Sequence, residues 1–160
     1  MASLNPEHVQ AVIRAINQAP YFRHLSMPVK AIGTGYAIVE LKVSNEHLNP
    51  FGGIHGGVYA SVVDTAAYWA VYCELDEGVG YISIDLKIDY LAPTRDGIII
   101  TKGRSIKVGR SMCLAEATAT DQDGKWLAHG TSKMMVTKGL QTIENALRFT
   151  GSKTLPAKFI

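Results

Sequence analysis

The sequence predicts an α+β domain of two layers, one buried helix against a run of antiparallel strands, and three observations carry this. Val58–Cys73 (VYASVVDTAAYWAVYC) is apolar on nearly every face and too long for a single buried strand, so it reads as a central helix. Tyr81–Leu91 alternates without a break, with Ile82, Ile84, Leu86, Ile88 and Tyr90 on one face and Ser83, Asp85, Lys87 and Asp89 on the other, which reads as a strand. The segments after it are strand-like and joined by short turn-forming stretches, so hairpins rather than crossovers link them.

Taken in chain order, Asn5-Pro6-Glu7 reads as an N-cap, a proline at the first helical position and an acidic first turn. Val9, Val12, Ile13 and Ile16 follow at helical spacing, which predicts an amphipathic helix over about residues 5–18, ending before Pro20. Ala37, Val39, Leu41 and Val43 alternate with Ile38, Glu40 and Lys42 as in a half-buried strand, and a glycine-rich loop separates it from the central helix. Ala92–Gly97 is a turn, Ile98–Val108 a strand, and Gly109-Arg110 the next connection. Ser111–Thr120 puts Cys113, Ala115, Ala117 and Ala119 on one face, small enough for a helix to approach closely. Asp121–Gly124 then turns the chain into a strand over Trp126–Val136. Leu140–Phe149 reads as a last helix within a C-terminal extension of about residues 138–160, whose tail is expected to be mobile. The 160 residues are expected to form one domain.

Composition narrows the function. Sixteen basic and 14 acidic residues give a net charge of +2. They are spread along the chain, without the basic stripe that binding a phosphate backbone requires, so no nucleic-acid partner is expected. No stretch has the length and apolarity of a membrane span, and the first residues do not pattern as a signal peptide; a cytoplasmic protein that does not enter the membrane is the expectation. Cys73 and Cys113 lie in apolar segments with no ligand pair near either, which reads as buried thiols and neither a disulfide nor a metal site.

The chemistry gathers in the run Asn49-Pro50-Phe51-Gly52-Gly53-Ile54-His55-Gly56-Gly57 and in Asp64. A helix that starts at Gly56-Gly57 presents unpaired N–H groups and the positive end of its dipole, which suit a developing oxyanion. Glycine lets a ligand carbonyl come up against the backbone, although the same glycines would also serve a tight turn. Asp64 is the single charged residue between Val58 and Cys73. A carboxylate in such a segment is costly to bury, so it is either hydrogen-bonded for structure or retained for chemistry, and its company favours chemistry. His55, at a loop-to-helix junction, is assigned a positioning role, and Asn49 either holds the loop or meets a carbonyl or water.

Helix geometry adds a constraint. Gly57 and Asp64 are separated by an axial rise of about 10.5 Å. One reacting carbon cannot be within hydrogen-bond reach of the Gly57 N–H and within attack range of the Asp64 carboxylate of the same helix. If both act on one carbonyl, they come from two copies of the chain related by a two-fold axis.

Several stretches carry a resemblance: Tyr21-Phe22-Arg23-His24-Leu25, Glu46-His47-Leu48-Asn49-Pro50, Gly53-Ile54-His55-Gly56-Gly57, Val63-Asp64, Leu86-Lys87-Ile88-Asp89-Tyr90-Leu91-Ala92-Pro93 and Asp123-Gly124-Lys125. Together they resemble the hotdog-fold acyl-CoA thioesterases, in the branch that includes phenylacetate-pathway and related aryl- or fatty-acyl-CoA thioesterases, over about residues 20–136. The resemblance implies a long helix wrapped by a curved antiparallel sheet, and a homodimer or a dimer of dimers. It implies that the Gly57 N–H polarises the thioester carbonyl, with Asn49 and His55 shaping the loop. Asp64 of the partner chain then attacks the carbonyl or activates water, and Ser83 positions water or the carboxylate. Coenzyme A, as part of the acyl-CoA substrate, would be met by Gly56, Asp85, Tyr90 and the Lys107-Val108-Gly109-Arg110 turn. Lys107 and Arg110 would supply charge for phosphates, and Gly109 close approach. No metal or other cofactor is implied.

Two further readings compete with thioester hydrolysis. A hotdog enoyl-CoA hydratase would need an acid-base pair facing the acyl chain, and a non-catalytic acyl-CoA-binding module would bind without releasing thiol.

Overall fold

The segments that pattern as strands join one antiparallel sheet, and the apolar segment Val58–Cys73 supplies most of the helix that packs on it. The computed structural model describes residues 3–152 and 154–160. In chain order the elements are α1 (Pro6–Ile16), α2 (Pro20–His24), β1 (Val29–Gly33), β2 (Tyr36–Lys42), α3 (Gly56–Ala70), β3 (Gly80–Tyr90), β4 (Ile98–Val108), β5 (Met112–Thr120), β6 (Trp126–Thr137) and α4 (Ile143–Thr150). The six-stranded sheet has the order β1-β2-β4-β5-β6-β3, with every neighbouring pair antiparallel. This is the hotdog arrangement that the resemblance implies, a long central helix lying in a curved antiparallel sheet.

Packing explains the composition of the strands under the helix. Cys113, Ala115, Ala117 and Ala119 of β5 are all buried, and so are Val62, Val63, Ala66 and Ala67 of α3. Small side chains on both surfaces bring the two backbones close together. At Gly103 of β4 the approach is so close that a Cβ would fall on the carbonyl oxygen of Ala66. Asn5 caps α1 by accepting from the Glu7 N–H at 3.0 Å, and α1 closes one end of the core through Val9, Val12 and Ile16.

Three expectations are corrected. Neither α2 nor β1 was expected: the first is a single short turn that begins at Pro20, and the second is too short to show a period. The tail is docked. Ser3 and Ile160 exchange backbone hydrogen bonds at 2.7 and 2.9 Å, and Leu4 bridges Phe159. Lys158 is 2% exposed and donates from Nζ to the carbonyls of Tyr72 and Leu75, both at 2.6 Å, so it caps the end of the central helical segment. Burial pulls this ammonium down to about 8. The pairing of His8 reinforces the docking, with Nδ1 donating to the Pro156 carbonyl and Nε2 accepting from the Tyr72 hydroxyl, each at 2.7 Å.

The alternation of β3 is the third correction, and it matters for the site. The register shifts between Ser83, opposite Met134, and Asp85, opposite Lys133, so Ile84 is the extra residue of a β-bulge. Before the bulge Tyr81 and Ser83 turn toward α3. After it Leu86, Ile88 and Tyr90 do, opposite the inward-facing Ser132, Gly130 and Ala128. Ser83 therefore shares a face with Tyr90, not with Asp85. Among the described residues no helix is long and apolar enough to cross a membrane, and both cysteines are free and buried.

Candidate active site

The loop before α3 is built by its polar side chains. Asn49 accepts at Oδ1 from the N–H groups of Phe51 (2.9 Å) and Gly53 (3.2 Å), which folds the Pro50–Gly53 turn back on itself. His47, 1% exposed, accepts at Nδ1 from the Ser44 N–H and donates from Nε2 to the Leu25 carbonyl at 2.8 Å, so it staples the loop to the end of α2. The loop also bonds to the β3–β4 connection, where the Ile54 N–H donates to the Thr94 carbonyl. Asn49 thus holds the loop through Oδ1, and His47, quoted only within a motif, has the structural role that a buried histidine usually has.

His55 is the N-cap of α3. Its Nδ1 accepts from the Gly57 N–H at 2.8 Å, which fixes the ring as the tautomer protonated at Nε2. The Gly57 N–H, the expected carbonyl donor, is engaged by the preceding imidazole. The free donor is its neighbour, because the Gly56 N–H has no partner among the described residues. Gly56 lies against the Tyr90 ring, so that a Cβ there would sit 3.2 Å from the phenol oxygen. Tyr90 and Gly56 therefore meet at the N-terminal end of α3.

Asp64 is half-buried farther along α3. Ser83 Oγ lies 3.4 Å from its Oδ1 and donates to it. Burial raises the carboxyl above its ordinary value, and the serine opposes the rise in part. The carboxylate opens into a cleft lined by Tyr21, Phe22, Ser61 and Leu86. Ser61 Oγ donates to the Gly57 carbonyl at 2.7 Å, which spends its proton, so the Tyr21 hydroxyl donates to Ser61 at 2.7 Å. Neither residue was singled out from the sequence. Ser61 could have been, because it precedes Asp64 by three residues and so shares its helix face.

The remaining candidates are not brought together within one chain. Asp85 is on the outer face of the sheet, paired with Lys133 through Nζ to Oδ2 at 2.7 Å, which holds its carboxyl below the usual range. Lys107, Gly109 and Arg110 form the β4–β5 hairpin, where the Gly109 N–H donates to the Met112 carbonyl. That hairpin borders a cleft with Glu74 and Asp76, at the end of the helical segment opposite Gly56. Among the described residues, one chain therefore holds an unpartnered N–H at one end of α3, a carboxylate near its middle and a basic turn beyond its other end.

Comparison with known proteins identifies the family. Residues 51–128 match the family model of the thioesterase superfamily. Human acyl-coenzyme A thioesterase 13 is 30% identical over 129 residues, covering 78% of this chain and 91% of that protein. The chain belongs to the thioesterase superfamily. A thioesterase from Haemophilus influenzae shares the fold with a TM-score of 0.76 at 21% identity, over 83% of this chain and 92% of that one. A hypothetical thioesterase from Streptococcus pneumoniae, solved with coenzyme A, aligns with a TM-score of 0.65 at 26% identity, over 72% of this chain and 88% of that one. Gly56, Asp64, Ser83 and Tyr90 fall inside the stretch that matches the thioesterase superfamily. Asn49 lies just before it, and α4 with the docked tail lies beyond it.

Proposed function

We propose that the protein hydrolyses acyl-CoA thioesters to a free acid and coenzyme A, in a site completed by a second copy of the chain. The observation that carries this reading is the Asp64–Ser83 pair in an open cleft. A half-buried carboxylate made more basic than usual and aimed by one hydroxyl is suited to attack a thioester carbonyl, or to take a proton from water that does so. The matched relatives named acyl-coenzyme A thioesterase supply the substrate class.

In this reading the Gly56 N–H of one chain receives the carbonyl oxygen as it gains charge, and Asp64 of the other chain faces the carbonyl carbon. The C–S bond breaks, water supplies the hydroxyl oxygen and one proton of the free acid, and its other proton goes to the sulfur, which leaves as coenzyme A thiol. The two groups of one helix stand about 12 Å apart along its axis, too far to serve one carbonyl. A second chain has a place to join. β3 is an edge strand, and Ile84, Leu86 and Tyr90 on it are 52%, 37% and 58% exposed. An edge that long and apolar is a template for another strand, which supports a homodimer paired through β3. Lys107 and Arg110 then serve the phosphates of coenzyme A from the end of the assembly they occupy, and Asp85 acts through its ion pair with Lys133. No metal or redox cofactor takes part.

The experiment is thiol release over acetyl-, butyryl-, octanoyl- and phenylacetyl-CoA by the wild-type protein and by Asp64→Asn. The reading expects turnover by the wild type, and binding without turnover by the variant. Binding without thiol release by the wild type over the whole panel would replace it with the binding-module reading. Addition of water to crotonyl-CoA without thiol release would replace it with the hydratase reading.

A further inference from the structure

A cavity beside the second half of α3 takes no part in the chemistry above. It has a volume of about 360 Å³ and lies between the second half of α3, the start of β3 and α4. This is the size range of small-ligand sites. Its walls are Tyr68, Trp69 and Tyr81 on one side and Ile143, Ala146 and Phe149 on the other.

Its position relative to the carboxylate is set by two elements at once. Tyr68 follows Asp64 by four residues, one helical turn or about 6 Å along α3 on the same face. Tyr81 precedes Ser83 by two residues, about 6.6 Å along β3 and again on the same face. The two rings stack on each other with centroids 4.2 Å apart, and both line the cavity, one helical turn and one strand repeat beyond the Asp64–Ser83 pair.

Its chemistry is apolar although tyrosines line it. The Tyr68 hydroxyl donates to the Tyr81 carbonyl at 2.8 Å, and the Tyr81 hydroxyl returns the bond to the Tyr68 carbonyl at 3.1 Å. With both hydroxyls spent, ring surface is what remains for an occupant, and Trp69 adds an edge-on ring 5.3 Å from Tyr68. Thr142 and Asn145 cap α4 reciprocally, which engages the Thr142 hydroxyl and the Asn145 Oδ1, and the exposed Gln141 is the other polar residue of that wall.

We propose that this cavity receives the acyl group of the thioester, an apolar group of several carbons, and that α4 is its end wall, with Ala146 and Phe149 setting how large a group is accepted. The inference rests on the thioesterase reading. It goes beyond that reading because α4 lies outside the residues matched by the family model. The end wall is therefore a feature of this chain's own C-terminal extension.

The test is the ratio of kcat/KM for octanoyl- or phenylacetyl-CoA to that for acetyl-CoA, in the wild type, Ala146→Phe and Phe149→Ala. Phe149 is 76% exposed, so its truncation removes little from the core and the variant folds. Filling the cavity through Ala146→Phe lowers the ratio by about tenfold or more, the scale at which an apolar pocket discriminates by size. Opening it through Phe149→Ala moves the ratio severalfold as one wall is lost. Ratios unchanged in both variants, or a uniform fall on all substrates, would overturn the assignment of α4 while leaving thioester hydrolysis standing. A wild type that releases no thiol from any substrate removes the underlying reading instead.

Discussion

Ser83 Oγ donates to Asp64 Oδ1 across 3.4 Å because a bulge at Ile84 turns Ser83 toward the helix. Uninterrupted alternation along β3 would have grouped Ser83 with Asp85, whose side chain instead pairs with Lys133 on the outer face. One inserted residue thus separates a serine that aims the carboxylate from an aspartate that does not.

Asp64→Asn is expected to reduce thiol release by roughly 10²–10⁴-fold, the range for losing a positioned acid-base group. The same variant is expected to be no less stable near neutral pH. The sign follows from burial: the folded carboxyl has a raised pKa, so its contribution to stability is full below the unfolded value and is lost as pH rises through the folded value. Chemical denaturation at pH 7 beside a thiol-release assay checks both halves, and a large loss of stability in the variant would give Asp64 a structural role.

Ser83→Ala removes the one hydrogen bond that lowers the Asp64 pKa. The acidic limb of the kcat/KM profile, where turnover fails as the carboxylate takes up a proton, is therefore expected to move to higher pH in this variant. A limb that stays in place while kcat falls would mean that the serine acts on substrate and not on the carboxylate.

Gly103→Val drives a side chain into the Ala66 carbonyl at the closest crossing of sheet and helix. Overpacking of this kind typically costs about 1–3 kcal/mol, and the upper end of that range is expected here because the obstacle is backbone. The shift in urea midpoint measures it.

Lys158→Met leaves the Tyr72 and Leu75 carbonyls without their donor, and is expected to cost about 1–3 kcal/mol and to loosen the tail. Burial pulls the folded lysine down to about 8, below the ordinary lysine value of 10.5. The unfolded chain therefore binds more protons between those values, and the wild type gains stability as pH rises through that window. Denaturation midpoints at pH 7.5 and 10, compared between wild type and variant, read the difference. Protease sensitivity of the tail reads the undocking.

Much of the architecture was legible because its signals are local. The alternation of β2, β4, β5 and β6, the N-cap at Asn5 and the apolar run of α3 each lie within one segment, and so did the separation of Gly57 from Asp64. What escaped depends on partners distant in sequence. The docked tail needs Lys158 to find carbonyls at Tyr72 and Leu75. The bulge at Ile84 exists through pairing with β6. The choice of Gly56 over Gly57 as the free donor turns on the orientation of the His55 ring. The short α2 and β1 carry too few residues to show a period at all.

Subunit mixing tests most directly whether the oxyanion donor and the carboxylate come from different chains. Gly56→Val crowds the free N–H and Asp64→Asn removes the carboxylate, and each homodimer alone is expected to be nearly inactive. Random exchange in an equal mixture makes half of the dimers hybrid, each with one intact site, so thiol release should return to about a quarter of the wild-type rate. No recovery, with subunit exchange demonstrated independently, would contradict a site shared between two chains.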